Sequence, residues 1–147
     1  MEIKIKKLRP DAQIPTRGSK KAAGYDLHAC FDGEEKIIPA GGTVLIGTGL
    51  SVAVPDGYFA AIFARSGLAL KQSLRPANCV GVCDSDYRGE YMVPLRNDGD
   101  CDRVIKNGDR IAQMIIMPYL DVTFELCDNL DETERGDGGF GSTGIGG

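Results

Sequence analysis

Residues 43–64 read TVLIGTGLSVAVPDGYFAAIFA. The runs 43–54 and 58–64 are dense in Val, Ile, Leu, Phe and Ala, and the PDG triplet between them is a turn signal, so the stretch predicts strands folded back on one another. On its N-terminal side, residues 2–8 (EIKIKKL) alternate apolar and charged side chains with period two. On its C-terminal side, residues 90–96, 109–118 and 122–126 are further runs of strand length and strand pattern. Only residues 67–74 read as a helix, a short one with Ser66 in the N-cap place. Many short strands with one brief helix predict an all-β fold, a jelly roll or distorted β-barrel. The twenty glycines suit the tight turns that such a fold needs.

A chain of 147 residues, 42% of them hydrophobic, can bury one core without disulfides. Residues 1–130 are expected to form that single β-domain. Residues 131–147, DETERGDGGFGSTGIGG, hold too few apolar side chains to join it. They set Arg135, Phe140, Ser142 and Thr143 among glycines, the composition of a flexible C-terminal arm that folds over a ligand.

The net charge of -4 leaves no broad basic surface, which argues against nucleic acid polymers as partners. A few arginines in a cleft still create a local field for one small phosphorylated ligand. The N-terminus MEIKIKKLRP has no apolar signal core, and no run of about 18 apolar residues occurs, so no membrane span is expected and the cytoplasm is the expected compartment. Cys30, Cys79, Cys83, Cys101 and Cys127 include no C-x-x-C pair, which argues against zinc and against a disulfide framework. His28, the only histidine, reads as structural rather than catalytic.

Four segments carry chemistry. GDGGFG at 136–141 satisfies G-x-G-x-x-G by letters, but it lies at the C-terminus with no helix after it instead of opening a βαβ unit, so it is no dinucleotide fingerprint. It remains a chain of backbone N–H groups with an arginine at one end and two hydroxyls at the other, suited to an anion. RSGLA at 65–69 puts an arginine, a hydroxyl and backbone amides at a helix start, which suits a phosphate, the plain alternative being a surface cap. GVCDSDYRGE at 81–90 gathers carboxylates and a tyrosine, which fits a general base beside a stacking platform, a solvated turn or a D-x-D metal site. NGDRIAQM at 107–114 is a turn entering a strand, with Arg110 and Gln113 as polar insertions.

Together with AGYDL at 23–27, these segments resemble, in order, the five motifs of the trimeric dUTPase family over nearly the whole chain. The resemblance implies a jelly roll that forms a homotrimer with active sites shared between chains. The implied activity is hydrolysis of dUTP to dUMP and pyrophosphate, which supplies dUMP for dTMP synthesis and limits uracil incorporation into DNA. It makes Asp84 the base that orients the attacking water and Tyr87 the platform under deoxyribose that excludes a ribose 2′-OH. Asn78 is implied on the uracil edge, Arg65, Ser66 and Gly67 on the phosphates, and Gln113 near them. Phe140 is implied to stack on uracil, while Arg135, Gly141, Ser142 and Thr143 close on the phosphates. Asp26 and Arg110 are implied to be structural, ion-paired at the subunit interface. Mg²⁺ is the implied cofactor, held by the substrate phosphates and water without direct protein ligands. The related deaminases of dCTP share the fold and the arginine-serine motif, but DSDY at 84–87 and the Phe140 arm favour the dUTPase. A regulatory protein on the same scaffold is the non-enzymatic alternative.

Overall fold

The computed structural model describes residues 1–139. In chain order the elements are β1 (Lys4–Lys7), β2 (Tyr25–His28), β3 (Glu35–Ile38), β4 (Thr43–Gly47), β5 (Leu50–Ala53), β6 (Tyr58–Phe63), α1 (Ser66–Gln72), β7 (Leu74–Pro76), β8 (Gly81–Cys83), β9 (Met92–Asn97), β10 (Arg103–Lys106) and β11 (Arg110–Pro118). They pair as β2-β11-β6-β8, β4-β9-β7, β10-β3 and β1-β5. Every pairing is antiparallel. The fold is all-β with one short helix, as expected, and among the described residues the strands close no ring.

β11 organises the larger sheet. Its apolar run RIAQMIIMP is the longest strand and pairs with β6 from Gln113 opposite Phe63 to Pro118 opposite Tyr58. On its other edge it meets β2, with a register shift between Arg110 and Ala112 and Gln113 opposite Asp26. Leu27, Ile38, Ile46, Leu50, Leu95 and Ile111, from strands of all four sheets, are fully buried. Each such side chain is worth about 1.5–3 kcal/mol relative to exposure.

Three local expectations need correction. Residues 43–54 are two strands, because Gly49 adopts φ +67 between β4 and β5 and turns the chain. Arg65, not Ser66, is the N-cap of α1, and it makes no side-chain capping bond. Residues 122–126, VTFEL, form no strand; Phe124 is 93% and Leu126 100% exposed. Their alternation is that of a half-buried strand, but among the described residues no strand pairs with them.

Candidate active site

The segment after β8 is held by residues 48–51, next to the end of the β4–β9 pairing. Ser51 Oγ donates to the Arg88 carbonyl (2.8 Å), the Gly49 N–H to Glu90 Oε1 (2.8 Å), Thr48 Oγ1 to the Tyr91 carbonyl (2.6 Å) and the Tyr91 N–H to the Leu50 carbonyl (2.8 Å). Four bonds thus fix residues 88–91 against residues 48–51. The turn itself is closed by the Tyr87 N–H to the Asp84 carbonyl (3.2 Å), and Arg88 Nη1 reaches the Ser85 carbonyl (2.6 Å).

Within this frame Tyr87 folds back. Its hydroxyl donates to the Glu90 carbonyl (3.1 Å) and its ring lies 6.1 Å from that of Tyr91, tilted by 31°. Gly89 makes the pose possible, since a Cβ there would collide with the hydroxyl and ring of Tyr87. Tyr87 then lines a cavity of about 330 Å³ with Asn78, Asp84, Ile62, Leu45 and Pro94. That is within the range for a small-molecule site, apolar walls with a few polar groups. The Asp84 carboxylate is exposed and accepts no hydrogen bond among the described residues, so it is open to a water in the cavity. Beside it, burial pushes the Cys83 thiol up, opposed by Tyr91, and burial likewise pushes the Tyr91 hydroxyl well up. Both groups are neutral at pH 7, so neither is a ready nucleophile.

A second cluster forms where β2, β11 and the start of α1 meet. Asp26 Oδ1 accepts from Arg65 Nε (2.8 Å) and Asp26 Oδ2 from Arg110 Nη1 (3.2 Å). Asp26 and Arg110 are therefore paired within one chain. Gln113 Nε2 donates to the Ala64 carbonyl (2.9 Å), which fixes the backbone next to Arg65. Arg65 and Arg110 line a cavity of about 220 Å³ with Gln72 and Asp109, while Ser66 and Gly67 are exposed at the helix start. His28 stands close by with Nδ1 buried and unpartnered among the described residues. Burial pushes its pKa down; Asp26 opposes this, and Arg110 and Arg65 add to it. The ring is neutral at pH 7 and lines neither of these cavities.

The structure brings Asn78, Asp84 and Tyr87 together in one cavity, while Arg65 and Gln113, joined through the Ala64 carbonyl, line two other cavities of the chain. Arg135 stands apart in an exposed turn, its Nε donating to the Gly138 carbonyl (2.8 Å). Phe140, Gly141, Ser142 and Thr143 lie outside the described residues. Among the described residues no group of three His, Cys, Asp or Glu side chains is arranged to hold a metal. Sequence reasoning assigned no role to Glu90 or Gly89. The signal for both was their place within the acidic, glycine-containing run 81–90, but Gly89 acts through the folded-back ring of Tyr87 and Glu90 through Gly49, which is distant in sequence.

A model of the dUTPase family matches residues 10–144. The chain belongs to the dUTPase family. It is 52% identical over 143 residues to the deoxyuridine 5'-triphosphate nucleotidohydrolase of Arabidopsis thaliana, covering 97% of this chain and 83% of that one. It is 46% identical over 145 residues to the protein of the same name from Leptospira interrogans, covering 98% and 99%. Among solved structures, the dUTPase of Staphylococcus bacteriophage 80alpha, a G164S mutant with dUpNHpp, superposes with a TM-score of 0.89 at 25% identity over 98% of this chain and 99% of that one. The dUTPase jelly roll is thus the architecture of this chain. No described helix is long and apolar enough to cross a membrane.

Proposed function

We propose that this chain cleaves dUTP to dUMP and pyrophosphate by attack of water on the α-phosphorus, supplying dUMP for dTMP synthesis and keeping uracil out of DNA. The observation that carries the reading is the cavity in which Asn78, Asp84 and Tyr87 converge on a chain of this family. Asn78 offers an amide to the uracil edge, and Tyr87 lies where a sugar with no 2′-OH packs against its face. Asp84, open to water, takes the proton as the nucleophile attacks. Arg65, Ser66, Gly67 and Gln113 hold phosphate oxygens. Arg135, Phe140, Gly141, Ser142 and Thr143 close the site, Phe140 over the base. Mg²⁺ would be held by the substrate phosphates and water, and would supply neutralisation of the charge on the departing pyrophosphate. The exposed Asp84 carboxylate, which can accept from a metal-bound water, fits that arrangement.

The working form is a homotrimer with shared sites. Two observations support it: the nucleoside-side and arginine-side residues line separate cavities of one chain, and the apolar side chains of VTFEL at 122–126 are uncovered. The five free cysteines suit the reducing cytoplasm.

Pyrophosphate release measured over dUTP, UTP, dCTP and dTTP tests the activity. Turnover of dUTP should far exceed the rest, whereas equal turnover of UTP would defeat the role of Tyr87. Ammonia released from dCTP would make the chain a deaminase instead.

A further inference from the structure

We propose that Asp26 is a positioning residue for phosphate binding: through Arg65 Nε it sets the guanidinium so that both terminal nitrogens point to substrate. The inference rests on the reading of Arg65 as a phosphate ligand and adds what orients it. The Asp26 side chain is only 15% exposed and that of Arg65 23%, so their 2.8 Å contact is a shielded one rather than a surface pair. An arginine held at Nε keeps its terminal donors in a fixed fork. Among the described residues those terminal nitrogens make no hydrogen bond, since Nε to Asp26 is the bond Arg65 makes.

The same junction is fixed from the other side. Asp26 on β2 lies opposite Gln113 on β11, and Gln113 holds the Ala64 carbonyl at 2.9 Å. Backbone and side chain of the Ala64–Arg65 step are thus gripped by the two residues of a single cross-strand pair. A carboxylate next to a phosphate ligand would ordinarily repel the substrate. Here Arg110 takes the second oxygen at 3.2 Å, so two guanidinium groups share the one Asp26 carboxylate, while Asp109, which lines the same cavity, accepts from the Lys106 N–H through one oxygen. Asp26 therefore orients Arg65 while Arg110 offsets its charge, and the terminal nitrogens of Arg65 stay free of it for an anion.

A double-mutant cycle in the full-length protein separates positioning from a merely structural role. The measurement is the Kd of a nonhydrolysable imido analogue of dUTP. Asp26→Asn in the wild-type background should weaken binding by roughly tenfold, because the neutral amide no longer holds the fork. In an Arg65→Ala background the same substitution should change Kd by less than about twofold, since nothing remains to be positioned. Equal weakening in both backgrounds would overturn the proposal. Arg65→Lys is the second variant: it keeps the charge but has no Nε donor for Asp26, and should lose roughly the same tenfold. Lysine binding as tightly as arginine would also overturn it, even if Asp26→Asn did not fold. Should Arg65→Ala leave Kd unchanged, the phosphate-ligand reading itself has failed, a result distinct from an Arg65 effect without coupling to Asp26.

Discussion

Residues 84–91 and residues 119–139 are both acidic, glycine-containing stretches without strands, and they are held in opposite ways. The first is bound to residues 48–51 by four hydrogen bonds from a different part of the chain. Among the described residues the second starts with one such bond, Tyr119 N–H to the Gly57 carbonyl, and thereafter bonds only to itself, as in Gly136 to Thr133 and Arg135 to Gly138. Composition does not separate the two. A loop acquires a fixed shape when elements distant in sequence satisfy its backbone, and one that lacks them waits for a ligand or another copy.

If the pinned loop carries the chemistry, Asp84→Asn should lower kcat by roughly 10²-fold or more while the circular dichroism spectrum and analogue binding stay the same. A near wild-type rate would shift the base role to Asp86 or to another source of activated water. The unpinned region should matter for turnover and not for folding. Deleting residues 135–147 should leave the melting midpoint within error and reduce dUTP turnover by roughly ten- to a hundredfold, as expected when site closure is lost. A truncated chain that no longer folds would place the arm in the scaffold.

Gly89→Ala sharpens the contrast within the pinned loop. A methyl there displaces the Tyr87 ring, so the preference for dUTP over UTP should fall by about tenfold, read as the ratio of the two kcat/KM values. An unchanged ratio would show that Tyr87 does not read the sugar. The smallest effect compares two threonines. Thr48→Val leaves the buried Tyr91 carbonyl without its partner and should cost about 1–3 kcal/mol in urea unfolding. Thr123→Val in the exposed stretch should stay within about 0.5 kcal/mol.

What the sequence made legible follows from where its signals act. β6 and β11 were visible because long apolar runs next to a PDG turn or an NGD turn are local signals. β3 and β10 were not. Each has four residues with charged positions, and each becomes a strand by pairing with the other, Glu35 with Lys106 and Ile38 with Arg103, far apart in sequence. The strand expected at 122–126 failed for the converse reason: its alternation is real, but a strand needs a partner edge. At the site, residue types and order identified Asp84, Tyr87 and Arg65 as candidates. That Asp26 reaches both Arg65 and Arg110 within one chain could not be read, because the three positions are 39 and 84 residues apart in the two contacts.

The separation of Asn78, Asp84 and Tyr87 from Arg65 and Gln113 into different cavities has a genetic side. If each site draws its halves from different copies, a lesion in one half and a lesion in the other are not equivalent to the same lesion carried twice. Coexpressed Asp84→Asn and Arg65→Ala chains, each inactive alone, would co-assemble into mixed particles in which some sites inherit an intact half from each parent. Two null alleles would then complement one another, while an Asp84→Asn chain expressed beside the wild type would silence its own share of sites without poisoning the rest.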